Sequence, residues 1–197
     1  MENLFKLIKP LSSTHPDLSI SSNDINNLKK YFGSVILILS KSSLDKEETL
    51  KLMSKEHYSD KYSVFEQTDF FEKISTLFSD ELIKNIRTPI RFLLNKSSYQ
   101  NQTVNGVFIF IQEKNLELIL HSHTIDSLYN SGPQRVIWTN KDKYLSSCWF
   151  EIKNEKIYWP EEVKACQYYE IDTKIPHAGG KAKSNTIYFI TVNRIFN

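Results

Sequence analysis

The hydrophobic pattern of this chain changes period near residue 100, and that change constrains the fold more than any other feature. Between Phe70 and Ile86, apolar residues recur at i, i+3, i+4 and i+7, the spacing of one helix face. After residue 100, short apolar and aromatic runs separated by turn formers are typical of strands. This order predicts an α+β fold with N-terminal helices packed on a C-terminal, mostly antiparallel β-sheet.

The two halves are predicted to share one core. A chain of 197 residues can form one domain without metal or disulfide support. We therefore expect a single domain over residues 1–197, helical over about 1–100 and β-rich over about 101–197. Residues 69–86 are predicted to form one long helix. Pro89 either ends this helix or starts the next element. Residues 104–111 and 116–121 are predicted to pair as a hairpin through a four-residue turn.

Charge and composition narrow the partners. The chain carries 24% charged residues and a net charge of +2, with its basic residues dispersed, whereas nucleic-acid binding depends on clustered lysines and arginines. A protein or small-molecule substrate is therefore favoured over nucleic acid, although the sequence names no partner. The longest apolar runs are too short to span a bilayer, so no membrane segment is expected.

The start of the chain lacks the features of a secretory signal. This predicts cytoplasmic synthesis, and it is also compatible with an effector-like protein delivered by a dedicated secretion system. Two cysteines do not make a disulfide framework, so both are expected to be free thiols.

Cys148 is the first candidate for chemistry. It follows Leu145-Ser146-Ser147 and leads into an apparent strand, where backbone amides can stabilise a developing oxyanion. A thiol becomes a nucleophile when a nearby base takes its proton. The alternative is that Cys148 is a small buried core residue.

The string Leu145-Ser146-Ser147-Cys148 resembles the Leu-Ser-Gly-Cys entry of the cytotoxic-necrotising-factor-type glutamine deamidases. That resemblance implies a cysteine nucleophile, a histidine base and an orienting threonine, here Thr139. Cys148 would open a hairpin whose return strand ends at Tyr158 and Trp159, and that return strand carries no histidine. The base is therefore predicted to be His177, or else a histidine at position 121 or 123.

An acidic-x-lysine string gives a second candidate. Glu151-Ile152-Lys153 resembles the strand-end string of PD-(D/E)xK nucleases, in which the acid binds Mg²⁺ with an upstream acid and the lysine steadies the attacking water. Asp126 or Asp142 would be the upstream acid. The alternative is an alternating, solvated strand face.

Two further candidates involve histidines and glycines. His121 and His123 share one face if they lie on a strand, and they would bind a metal together with Asp126; otherwise they form a polar strand end. Adjacent glycines allow close backbone approach to an anion. A ligand-binding loop is therefore predicted, with a flexible hairpin loop as the alternative. Its residues are Gly179, Gly180, Lys181 and Lys183.

Three functions follow from these candidates. The first is a thiol-dependent amide hydrolase or deamidase that acts on a protein or small amide and needs no cofactor, with Cys148, His177 and Thr139 as its site. The second is a metal-dependent nuclease that uses Mg²⁺. The third is a non-catalytic interaction or ligand-binding module.

Overall fold

The structure is a computed structural model that describes residues 8–10, 20–32, 36–40, 42–47, 50, 62–95, 98–99, 102–122, 133–138, 148–159 and 168–195. These residues combine helices with mostly antiparallel sheets, so the predicted α+β class is confirmed. The single domain over 1–197, with its division near residue 100, stays a prediction. Within the described ranges, no helix has the length and apolar character needed to cross a membrane.

Three helices have defined bounds: α1 (Ser22–Phe32), α2 (Gln67–Ser75) and α3 (Asp80–Asn95). The long helix predicted over 69–86 is therefore two helices. The break comes where the Leu77 and Phe78 amides both donate to the carbonyl of Ile74 and the Ser79 hydroxyl accepts from the Leu82 amide at 3.3 Å, which caps a new helix. Pro89 lies inside α3 and does not end it.

Two sheets contain the strands. The strands are β1 (Ile8–Pro10), β2 (Ile36–Ser40), β3 (Tyr62–Glu66), β4 (Ser98–Tyr99), β5 (Gln102–Gln112), β6 (Leu118–His121), β7 (Pro133–Trp138), β8 (Trp149–Ile152), β9 (Glu155–Tyr158), β10 (Tyr168–Asp172), β11 (His177–Gly179) and β12 (Thr186–Ile195). The major sheet has the order β1-β10-β7-β12-β5-β2-β3, with β4 also paired to β5, and the minor sheet has the order β6-β11-β8-β9.

From β5 onward, the chain passes back and forth between the two sheets. Strands β5, β7, β10 and β12 lie in the major sheet, and β6, β8, β9 and β11 lie in the minor sheet. The pairs among these eight strands are antiparallel. Eight strands in two facing antiparallel sheets with this connectivity form a jelly roll.

The major sheet is apolar on both faces, which creates three layers. Along β5 and β12, one set of alternating side chains packs with the helices, and Ile109, Ile187 and Phe189 belong to it. The other set, which includes Phe110 and Tyr188, packs with the minor sheet. Alternation with a period of two therefore puts one hydrophobic core on each face.

The hairpin predicted for residues 104–121 is wrong in its pairing. β5 pairs with β12, β2 and β4, whereas β6 pairs with β11 in the other sheet. The reason is that β5 lies in the middle of the major sheet, where β12 and β2 satisfy its backbone hydrogen bonds along both edges, so β6 cannot pair with it. The predicted turn residues instead carry the chain from the major to the minor sheet.

The helix core makes a stability prediction. Ile74 in α2 is fully buried, whereas Ile119 on β6 is 79% exposed. We expect Ile74→Ala to lower the free energy of unfolding by about 2 to 5 kcal/mol because it leaves a cavity. Ile119→Ala should cost less than about 1 kcal/mol. Urea unfolding of both variants measures this, and equal losses would contradict the layer assignment.

Candidate functional site

Two histidines lie side by side on neighbouring strands of the minor sheet. His177 on β11 is the Cα partner of His121 on β6, and on its other side it is the partner of Phe150 on β8. The two imidazole ring centroids are 4.5 Å apart. Phe150 is fully buried between the sheets, and paired residues face the same way. Both histidines therefore face the space between the sheets, and both are partly exposed.

An irregularity in β6 turns His121 inward. The pairing shifts between His177–His121 and Gly179–Leu118, so two steps along β11 oppose three along β6. This extra residue is a β-bulge, a feature that re-aims side chains and is common beside functional sites. Leu118 packs with the inter-sheet core, and the bulge lets His121, three residues later, face the same side. Regular alternation would have pointed it outward.

Each imidazole is oriented by a backbone carbonyl of its own strand region. The Nδ1 atom of His121 lies 2.7 Å from the Ile119 carbonyl oxygen, and the Nδ1 atom of His177 lies 2.8 Å from that of Ile175. A carbonyl oxygen only accepts, so Nδ1 donates in both rings. In the neutral imidazole, Nε2 then has the lone pair. Metal-binding histidines show this same arrangement, with one nitrogen held by an outer hydrogen bond and the other used as the ligand.

The pair brings together two imidazoles, a side chain of the type that transition metals bind. Within the described ranges, no cluster of three or more His, Cys, Asp or Glu side chains is placed to hold a metal ion. A further ligand would come from elsewhere in the chain. His123, two residues after His121, and Asp126 were predicted as ligands from the sequence, and both lie outside the described residues.

The surroundings of the pair are apolar and aromatic. Phe150 lies edge-on to His177 at 6.4 Å and stacks on Trp159 at 5.6 Å between centroids. Farther along, the Tyr188 hydroxyl donates to Gln112 Oε1 at 2.8 Å in a buried hydrogen bond. The histidines therefore lie at the edge of a largely apolar inter-sheet interior.

Cys148 lies in this interior but is not activated. It is 5% exposed and belongs to the inter-sheet core. Burial raises the pKa of its thiol to about 12, although a backbone hydrogen bond from Gly180 acts in the opposite direction. At neutral pH the thiol is protonated, and a protonated thiol is a poor nucleophile. The alternative considered from the sequence, a small buried core residue, agrees with this geometry.

The remaining predicted site residues are dispersed. Glu151 follows Phe150 on β8 and so lies on the outer face of the minor sheet, opposite Lys156. Lys153 is a turn residue with φ 53°, and with Asn154 at φ 64° it forms the tight β8–β9 turn. Three other predicted residues, Thr139, Asp126 and Asp142, lie outside the described residues.

The glycine loop is held by hydrogen bonds to its backbone carbonyls. The Asn115 amide donates to Ala182 at 2.7 Å, and Gln112 Nε2 donates to Gly180 at 3.3 Å. Gly179 is buried in β11, while Lys181 and Lys183 are exposed. The loop is therefore tied to the β5–β6 connection, and its role in ligand binding stays a prediction.

From the sequence, His177 and His121 were alternatives for the base beside Cys148, and His121 was also a candidate metal ligand; the structure brings the two histidines together. The two residues are 56 positions apart, so their spacing carries no signal. A local pattern was available: both occur as Ile-x-His, in Ile119-Leu120-His121 and Ile175-Pro176-His177. In both, the isoleucine carbonyl accepts from the histidine Nδ1.

No family model matches this chain, and no curated protein matches it. Among solved structures, it is similar to a viral collagen prolyl hydroxylase from Paramecium bursaria chlorella virus 1 (13% identity, 84% of this chain and 92% of that chain, TM-score 0.41). It is also similar to a Pseudomonas putida prolyl-4-hydroxylase (9%, 95% and 99%, TM-score 0.40) and to the nickel complex of the non-heme monooxygenase ThoJ (9%, 79% and 71%, TM-score 0.40).

Coverage differs among the matched structures. AviO1 from Streptomyces viridochromogenes Tue57 matches over 48% of this chain, which spans about half of that protein (51%). Two cupin proteins also match. Identities of 9 to 19% and TM-scores of 0.41 or lower assign this chain to no family.

The functions predicted from the sequence are corrected by these findings. The thiol-dependent amide hydrolase is wrong: the Cys148 thiol is buried and its pKa is raised to about 12, so it is not an activated nucleophile. The PD-(D/E)xK-type nuclease is wrong as well: Glu151 lies on the outer face of the minor sheet opposite Lys156, and Lys153 is in the β8–β9 turn. The non-catalytic module is not retained either, because the paired imidazoles form a site with catalytic potential.

The prediction that no cofactor is needed, or Mg²⁺ for a nuclease, is also wrong. One matched structure is a nickel complex and another is a complex with 2OG. The physical reason lies in the donor set of this chain. Imidazole nitrogens suit iron, copper, nickel and zinc, whereas Mg²⁺ prefers oxygen ligands.

Burial of Cys148 predicts its reactivity. Cys166→Ser leaves Cys148 as the single thiol of the chain. In this native protein, Cys148 should react with a thiol reagent about a thousandfold more slowly than an ordinary exposed cysteine does. The reason is that a pKa of about 12 in place of 9.0 lowers the thiolate fraction by that factor. The rate should rise about tenfold per pH unit from pH 7 to 10. Labelling followed by mass spectrometry measures this, with urea-unfolded protein as the control. A plateau below pH 10 would contradict it.

Proposed function

We propose that this protein is a metal-dependent oxidoreductase whose metal ion is held by His121 and His177. The observation that carries the proposal is the cross-strand imidazole pair, with ring centroids 4.5 Å apart and both Nδ1 atoms oriented by backbone carbonyls. Two independent carbonyl contacts hold both rings in the tautomer in which Nε2 carries the lone pair, and this is the atom that would bind the metal.

The donor chemistry fits a redox metal. Neutral imidazoles bind iron and copper well, and bound in this way such a metal supplies one-electron and oxygen chemistry. His121 and His177 hold and orient it. His123 is the proposed third ligand, because its i, i+2 spacing from His121 in the sequence is that of two side chains on one strand face.

The interior favours oxidation over hydrolysis. Metal-assisted hydrolysis usually employs a carboxylate or similar group that moves a proton to or from the attacking water. Apart from the two histidines, the polar groups described in the inter-sheet core include the Gln112 amide, the Tyr188 hydroxyl and the protonated Cys148 thiol, and none of these is a carboxylate. Glu170 is buried, but it lies between Tyr169 and Ile171, which face that core, so it points the other way. A dry apolar interior protects reactive species from water.

The described residues do not fit 2OG, the molecule bound in one matched structure. This dicarboxylate needs a cation or several donors when it is taken out of water. No lysine or arginine is buried among the described residues. Tyr188 and Gln112 are polar but bond to each other. 2OG is therefore not part of the proposed reaction.

The same interior defines the proposed substrate. Leu118 is partly exposed on the strand that carries His121, and it packs against the buried core of Phe150 and Trp159. This apolar surface suits an uncharged, largely apolar small molecule or protein side chain. This choice agrees with the sequence-based preference for a protein or small molecule over nucleic acid. We also propose a cytoplasmic location, supported by the free thiol of Cys148.

Metal binding tests the proposal directly. We expect the protein to bind about one equivalent of Co(II), used as a spectroscopic probe for an imidazole site. His121→Ala and His177→Ala should each weaken binding more than about a hundredfold, because loss of an orienting partner alone costs 10- to 100-fold. His123→Ala should match them if it is the third ligand. Visible absorption and calorimetry measure the affinity.

A matched control separates the site from general histidine binding. His57→Ala makes the same change at a histidine that has no assigned role, and it should leave Co(II) affinity unchanged. Circular dichroism checks that every variant is folded. Folded His121→Ala or His177→Ala protein with the affinity of the original chain would remove the metal site from consideration.

The reaction class is tested by oxygen uptake. Protein loaded anaerobically with Fe(II) should consume oxygen when it is exposed to air with apolar candidate substrates, whereas Zn(II)-loaded protein should not, since zinc has no redox chemistry. An oxygen electrode measures the rates. His177→Ala protein with the same amount of iron is the control. Equal uptake by the two iron samples would refute the oxidoreductase assignment even if metal binding were confirmed.

A further inference from the structure

A groove of about 450 Å³ lies between α2 and α3. Phe71, in its wall, packs into the helix core together with Ile109 and Ile187 of the major sheet. The groove is therefore on the opposite face of that sheet from His121 and His177, and it shares no residue with the proposed metal site.

One face of each helix builds this groove. Thr68, Phe71 and Glu72 contribute from α2, and Arg87 and Arg91 contribute from α3. Positions three and four apart share a helix face, so the lining residues of each helix point the same way. The regular spacing shows that the groove is formed by secondary structure and not by loops.

Neither arginine forms an ion pair within the described part of the chain. The ion pairs there join Lys29 to Glu113 and Lys46 to Asp69, and neither includes Arg87 or Arg91. Two like charges at i and i+4 repel each other and destabilise a helix. An anion between them would convert this repulsion into attraction.

Arg87 is also held in place. Its guanidinium carbon lies 4.5 Å from the centre of the Phe71 ring, within the range of a cation–π contact. Stacking on an aromatic ring restrains the planar guanidinium while its N–H donors stay directed to the sides. A restrained guanidinium loses less entropy when it binds a carboxylate or phosphate with two hydrogen bonds.

We propose that this groove binds a small anionic molecule through a phosphate or carboxylate group held by Arg87 and Arg91. Its volume is in the range of small-molecule sites. The Glu72 carboxylate in the same wall accepts hydrogen bonds. The ligand therefore also carries a donor, such as a hydroxyl or amine.

The start of α2 adds to the attraction. Thr68 lies in its first turn, where the helix dipole is positive. The N-cap residue Glu66 makes no side-chain capping bond, and its carboxylate accepts from the Ser43 hydroxyl at 2.8 Å. The Asp69 carboxylate in this turn is paired with Lys46 at 3.4 Å, which reduces its repulsion of an anion.

Calorimetric titration of the full chain tests the proposal, with inorganic phosphate and succinate as probes at constant ionic strength. We expect saturable binding that Arg87→Gln and Arg91→Gln each weaken by about tenfold or more, the loss of a charged hydrogen bond. Glu72→Gln should instead tighten phosphate binding about two- to fivefold, because it removes a nearby negative charge. Lys30→Gln, the same charge change at an exposed residue of α1, is the matched control and should have no effect.

Each outcome decides something. Binding of phosphate, succinate or both supports the groove and identifies its anionic group. If neither probe shows saturable binding, the proposal is overturned. An equal loss of anion affinity in Lys30→Gln and Arg91→Gln would also overturn it, because it would indicate non-specific attraction. If Arg87→Gln does not fold, Arg91→Gln at an exposed position decides alone.

Discussion

The antiparallel pairing of β5 with β12 is the constraint on which the rest of the structure depends. Their register runs from Thr186–Gln112 to Ile195–Gln102, and their neighbours β2 and β7 complete the centre of the major sheet. Both strands are apolar on both faces, so neither face can be left in water. One face requires the helices and the other requires the minor sheet. The three-layer arrangement follows from this pair of strands.

The same pair of strands fixes the position of the histidines. Tyr188 of β12 donates to Gln112 of β5, and Gln112 donates in turn to Gly180, the residue after β11. This buried chain of hydrogen bonds ties the strand that carries His177 to the centre of the major sheet. Buried polar networks of this kind are rigid when their members are satisfied. The imidazole pair thus lies on two short strands, β6 and β11, but is supported by the two longest ones.

The fold class could be predicted from the sequence, because periodicity is a local property. The stripe of Phe70, Phe71, Ile74, Leu82 and Ile86 correctly indicated buried helix faces. The number of sheets could not be predicted in the same way. An apolar run such as β5 shows that both faces are buried, but it does not show which strands cover them, and turn length alone suggested the wrong partner.

The site was harder to predict because its chemistry depends on tertiary contacts. Cys148 was selected from a four-residue resemblance, yet the property that decides its reactivity is burial, which no local string encodes. His121 was considered on a regular strand, where alternation alone sets its direction. Its actual direction depends on a bulge opposite β11, and bulges follow from pairing between distant segments. The repeated Ile-x-His pattern was the local signal that remained, and it becomes meaningful only when the two strands are known to be neighbours.

The metal site and the anion groove can be separated because of how strand side chains alternate. Ile109 and Ile187 pack in the core that contains Phe71 of the groove, whereas Phe110 and Tyr188, one residue along each strand, pack in the core beside the histidines. Adjacent residues of a strand thus serve opposite layers. Substitutions at the groove surface, such as Arg91→Gln, leave both cores unchanged. If such a substitution weakens anion binding and leaves metal binding intact, the effect is confined to the groove. If it weakens both, the structural change must be transmitted through β5 and β12.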